Sequence, residues 1–70
     1  MFWWFERSGA YLRCEVLELS ESSYELRVVH PDGSVRVEVF TDARDLAKRQ
    51  AEVEGELRGD GWTGPHGWVL

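Results

Sequence analysis

An α+β fold, a four-stranded antiparallel meander with one α-helix packed on one face, is predicted by three stretches of this chain. Residues 24–30 and 34–40 alternate apolar and polar side chains on either side of Pro31-Asp32-Gly33, a strong turn signal. Residues 42–58 then place apolar side chains at helical spacing behind Asp42. Residues 2–19 alternate in the same two-residue period around Ser8-Gly9.

The first strand, residues 2–7, is rich in aromatic residues, which suit a pleated, half-buried surface. Ser8-Gly9 closes a two-residue hairpin, Gly9 accepting the positive φ that such turns need. The second strand is residues 10–19. This turn pairs Phe5 with Leu12 and Trp3 with Cys14, so those four and Val16 share one apolar face. Phe2, Trp4, Tyr11, Arg13 and Glu15 fall on the other. Ser20-Glu21-Ser22-Ser23 is a polar loop into the third strand, residues 24–30.

At the turn into the fourth strand, residues 34–40, two rules disagree. A type I turn with a glycine bulge pairs His30 with Ser34 and sets Val29 and Val35 on one face. The alternation instead sets Leu26 and Val28 beside Val35, Val37 and Val39, and keeps Arg27 away from the valines. We follow the alternation. The expected core is then Trp3, Phe5, Leu12, Val16, Leu26, Val28, Val35, Val37, Val39, Leu46, Val53 and Leu57.

The helix, residues 42–58, opens on Asp42 as N-cap with Asp45 three residues on. Ala43, Leu46, Gln50, Val53 and Leu57 form its inward stripe. Asp45–Arg49 and Glu54–Arg58 are ion pairs one turn apart. Gly55 costs about 1 kcal/mol relative to Ala inside a helix, and Gly59 is the natural stop. Residues 59–70 form a packed tail, because two Trp within it are expensive to leave in water. Trp62 folds back on the helix end, and Trp68 closes over the sheet or its edge.

The 70 residues form one small domain, residues 1–70, which buries only about 60% of its unfolded surface. Its single cysteine excludes an internal disulfide. With only His30 and His66, no paired, closely spaced metal ligands exist, and no cofactor motif is present. A net charge of −5 disfavours phosphate backbones and anionic membranes. Met1–Phe5 is too short for a signal sequence, and no apolar run reaches the length of a membrane span. One free thiol and no targeting segment lead to an expected cytoplasmic location.

The candidate interaction surface is Phe2, Trp4, Tyr11 and Arg13 on the sheet face away from the helix, together with Gln50. Gln50 stands where the helix stripe called for an apolar residue, and a buried amide needs partners. His30 reads as a hairpin-end residue, His66 as a loop histidine and Cys14 as a small buried hydrophobe. The helix carboxylates, Asp42, Asp45, Glu52, Glu54 and Glu56, form a solvated face. No nucleophile, base and orienting group stand together, so the chain does not read as an enzyme. It reads as a protein-interaction module, with a homodimer as the expected state. The alternative is single-stranded nucleic-acid binding, with bases stacked on the aromatic face.

The order of elements resembles the strand-strand-strand-strand-helix unit of single-strand-binding transcription cofactors and Whirly-type proteins. The run from His30-Pro31-Asp32-Gly33 through Phe40 and the helix to Gly61-Trp62 is similar to small bacterial proteins of uncharacterised function. The second resemblance implies no activity and no site residues.

Overall fold

The computed structural model describes residues 1–69; the side chains of Trp68 and Val69 lie outside that description. The elements run β1 (Phe2–Arg7), β2 (Ala10–Ser20), β3 (Ser23–Val29), β4 (Val35–Phe40), α1 (Ala43–Gly59) and β5 (Thr63–Val69). The fold is α+β, with one helix on an antiparallel sheet of order β4-β3-β2-β1-β5. Four strands were expected and the described residues form five. The fifth is the tail, which pairs with β1 instead of packing as irregular chain.

The β1–β2 hairpin has the register that its turn predicts, with Phe5 opposite Leu12 and Trp3 opposite Cys14. Ser8 and Gly9 both have positive φ (51° and 80°), the combination whose twist matches that of paired strands. Trp3, Phe5, Leu12, Cys14, Leu26, Val28, Leu46 and Trp62 are the buried core. Val16, Val53 and Leu57 pack partly buried around them, with Tyr24 and Phe40.

The β3–β4 register departs from the alternation. Val29 pairs with Val35, Arg27 with Val37 and Glu25 with Val39. Val35, Val37 and Val39 therefore face away from the helix and are 52%, 46% and 59% exposed. The turn decides this. His30 N–H donates to the Ser34 carbonyl (2.8 Å) and Gly33 N–H to the His30 carbonyl (2.9 Å). Gly33 sits at φ 89°, the left-handed position that this bulge requires. Asp32 Oδ1 accepts from both the N–H and the hydroxyl of Ser34 (2.9 and 2.7 Å). Those bonds hold the Asp32 carboxyl below its ordinary pKa.

The slip brings Arg27 onto the valine face, where Glu25 pairs with it at 2.9 Å. The Nε of Arg27 stays buried without a partner. On the helix side, Glu38 takes the place that the valines would have filled. It accepts from Arg49 Nε (3.1 and 3.0 Å), an ion pair that clamps α1 to β4.

Asp42 caps α1 as expected, its Oδ1 accepting from Arg44 N–H at 2.8 Å. Glu54–Arg58 forms one turn apart at 2.8 Å. The expected Asp45–Arg49 pair is replaced by Arg49 bonds to Glu38, Glu52 and Glu56. Gly59 remains helical, and the left-handed stop is Gly61 at φ 89°. Gly61 N–H donates to the Arg58 carbonyl and Trp62 N–H to the Leu57 carbonyl, which closes the helix end and turns Trp62 into the core. The expected fold-back of Trp62 is thus present, and Arg7 stacks 4.5 Å from its ring centre. The expectation for Trp68 lies outside the described side chains.

Candidate aromatic cleft on the open sheet face

Alternation along β1 and β2 puts Phe2, Trp4, Glu6, Tyr11 and Arg13 on the face opposite α1. Adding β5 beside β1 brings His66 next to Trp4. The end of β3 and the turn after it bring Val29, His30 and Pro31 to the other side. Together they line an open cleft of about 690 Å³.

Its floor is a row of rings. The Phe2 and Trp4 centres are 6.0 Å apart with planes tilted by 42°. Those of Trp4 and His66 are 6.2 Å apart, tilted by 34°. Arg13 lies 5.9 Å over Phe2. Gly67 makes this possible: any Cβ there would run into the Trp4 ring. The Thr63 hydroxyl links β5 to β1 by donating to the Glu6 carbonyl (3.1 Å), and it lies 3.3 Å from His66 Nε2. Arg58 holds the Gly64 carbonyl through Nε and Nη2, so the helix end also positions β5.

The two arginines in and beside the cleft are paired. Arg13 meets Glu15 at 3.1 Å, and Arg27, one strand over, meets Glu25. Tyr11 is exposed, whereas Phe2 and Trp4 are half-buried. The cleft can therefore take a flat apolar or aromatic group against its floor and offer Arg13, Glu6 and the Tyr11 hydroxyl at its rim.

Of the five candidate surface residues, Phe2, Trp4, Tyr11 and Arg13 line this cleft. Gln50 does not; it is half-buried on α1, in the layer on the other side of the sheet. His66 and His30, read from sequence as a loop and a hairpin-end residue, both line the cleft. The position of His66 depends on β5 pairing, which no local pattern displayed, whereas that of His30 follows the turn register that the alternation opposed.

Cys14 is fully buried, and that burial pushes its thiol from 9.0 up to about 12. Such a thiol remains protonated at neutral pH and does not act as a nucleophile there. Among the described residues, no three His, Cys, Asp or Glu side chains gather in a way that could hold a metal ion. None of the described helices is long and apolar enough to cross a membrane. Comparison with protein-family models, curated proteins and solved structures finds no match. The site is accordingly read from its own geometry.

Proposed function

We propose that this chain is a protein-interaction module whose docking site is the aromatic cleft on the open sheet face. One observation carries the reading: Phe2, Trp4 and Tyr11 are grouped on a solvent-facing wall of the sheet, around a cleft large enough for a side chain. Tyr and Trp are the residues that dominate binding energy at protein interfaces, and Arg is their usual companion. Half-buried rings supported by Gly67 and His66 are already oriented, so docking immobilises little.

The ring row would also suit stacked bases, which makes single-stranded nucleic acid the second reading. Charge favours protein. A nucleic-acid track needs unpaired cations, but Arg13 and Arg27 are tied to Glu15 and Glu25, and Glu6 lies in the cleft itself.

A photocrosslinking residue placed at position 11 in living cells tests the proposal, with position 48 on the exposed side of α1 as control. Discrete protein adducts are expected at 11 and not at 48. Equal labelling at both positions refutes it. Salt-sensitive binding of labelled oligonucleotides at micromolar protein, abolished by Trp4→Ala, refutes it in favour of nucleic acid.

A further inference from the structure

The two edges of the sheet differ in kind. On β5, the pairing to β1 is interrupted by two register shifts, and Pro65 has no N–H to offer. Such an edge resists further pairing. β4 is a regular six-residue strand, and no described strand lies beyond it in the sheet.

The hydrogen-bond phase of β4 follows from the turn. His30 and Ser34 are a bonded pair, so antiparallel alternation makes Arg36, Glu38 and Phe40 bond inward to β3. The N–H and C=O groups of Val35, Val37 and Val39 then point outward, away from the sheet. Among the described residues these backbone groups have no partner strand, and the side chains of the same three residues are exposed.

We infer that β4 pairs antiparallel with β4 of a second copy of this chain, about a two-fold axis at Val37, giving one continuous ten-stranded sheet. In that register Val37 meets Val37 of the second copy, and each Val35 meets a Val39. Each of these valine pairs exchanges two backbone bonds, and their side chains form an apolar ladder on the open face. On the helix side, each Arg36 falls directly opposite Glu38 of the other copy, in the closer, non-bonded type of pair.

The charges select this register. A two-fold axis at Arg36 or at Glu38 would set like charges face to face, which opposes pairing. An axis at Val35 or Val39 would run half of the strand past the end of its mate. The recipient site also wants a cation. Glu38, Glu52 and Glu56 surround the single Arg49, leaving an excess of negative charge. Arg36 lines the same small cleft and has no ion-pair partner of its own among the described residues.

This pairing names one partner for the interaction module proposed above. It rests on that reading only for the class of partner; its contacts belong to the β4 edge and not to the cleft, so the two fail separately. One strand per copy makes a small interface, and small interfaces are transient.

Sedimentation equilibrium of the full chain, over roughly 1 to 500 µM, tests it in the range where such contacts form. The mass is expected to rise from 8.1 kDa toward twice that value. Arg36→Glu sets Glu against Glu and should weaken association about tenfold or more. Glu38→Arg sets Arg against Arg and should do the same. An equimolar mixture of the two variants restores opposite charges at both contacts, and should associate within about threefold of the unmodified chain. Val37→Pro removes only an outward N–H, which an edge strand tolerates, and should leave a folded monomer by circular dichroism. Glu38→Arg also deprives Arg49 of a partner; if that variant does not fold, Val37→Pro and Arg36→Glu decide. A constant monomer mass overturns the inference, as does a folded Val37→Pro chain that associates normally. Association lost in Tyr11→Glu but retained in Val37→Pro also overturns it, by moving self-contact to the cleft.

Discussion

The β3–β4 register can be tested by comparing two apolar truncations, Leu26→Ala and Val37→Ala. Leu26 is 1% exposed, between Val16 on β2 and Glu38 on β4. Truncation removes three carbons, about 2.4 kcal/mol of transfer free energy at about 0.8 per carbon, plus a cavity term. The total falls at about 3–5 kcal/mol. Val37 is 46% exposed, on the other face. Truncation there removes two carbons, roughly halved in value by exposure, for about 0.8 kcal/mol. Had the valines faced the helix, the same change would cost about 2–3 kcal/mol with its cavity. Urea unfolding followed by indole fluorescence reads the difference, because Trp3 and Trp62 are buried. With a slope near 1 kcal/mol/M for so short a chain, the midpoints should drop by about 3 M or more for Leu26→Ala and about 0.8 M for Val37→Ala. The measurement belongs at about 1 µM protein, below the range expected for a small interface. A Val37→Ala loss at least half that of Leu26→Ala would refute the register and the turn argument behind it.

Other expectations follow from the core, the turn and the thiol. Trp62→Ala should cost about 3–5 kcal/mol and bring the domain near global unfolding, since a margin of about 5 kcal/mol is typical; a melt within a few degrees of the unmodified chain would show that the helix end is not anchored there. Ser8→Asn should stabilise by a few tenths to about 1 kcal/mol, because Ser8 holds positive φ and Asn tolerates it better; a lower melting temperature would contradict the turn assignment. Cys14 has its folded pKa raised to about 12, so the unfolded chain releases the thiol proton first. Stability should therefore fall as pH rises from about 9 toward 12, by up to about 1.4 kcal/mol per unit, and Cys14→Ala should lack that slope. Parallel pH dependences of the two proteins in urea melts would disprove it.

Legibility from sequence tracked how many independent signals agreed. For β1 and β2, the short Ser8-Gly9 turn and the apolar alternation name the same register, and the sheet adopts it. Phe2, Trp4, Tyr11 and Arg13 were grouped correctly for that reason. Asp42 marked the helix start because side-chain capping is local. At Pro31-Gly33 the signals conflicted, and the local turn chemistry prevailed over the apparent valine stripe. A cue was present at the strand ends. The observed register pairs Tyr24 with Phe40 and sets both aromatics on the face shared with Leu26 and Val28, whereas a valine-in register turns Phe40 outward. β5 was not legible as a strand, because Gly64, Pro65 and Gly67 depress strand propensity. Its pairing is imposed by tertiary contacts: Arg58 on the Gly64 carbonyl, Thr63 on the Glu6 carbonyl, and Trp4 against Gly67. His66 could not be assigned to the cleft without it.

The valines that left the core change what the sheet is for. A domain with eight buried core residues among those described has little apolar surface to give away. Yet three β-branched residues stand outside on the regular β4 edge, their outward backbone groups without a partner strand among the described residues. A flat apolar edge of that kind invites uncontrolled pairing unless charge or a partner manages it. Here Arg36 and Glu38 alternate with the valines in opposite sign, a pattern that penalises most registers but satisfies one two-fold arrangement. The same pattern therefore acts against aggregation and for a defined dimer. The charged pairs Arg13–Glu15 and Arg27–Glu25 separate Val37 and Val39 from the aromatic rings, whereas Val35 meets Val29, which lines the cleft itself. A continuous sheet formed through β4 would leave both clefts open, far from the axis and facing the same way. Partner binding at a cleft and self-pairing at the edge are thus compatible, and a two-cleft dimer would hold a bivalent partner more tightly than either site alone, through effective concentration.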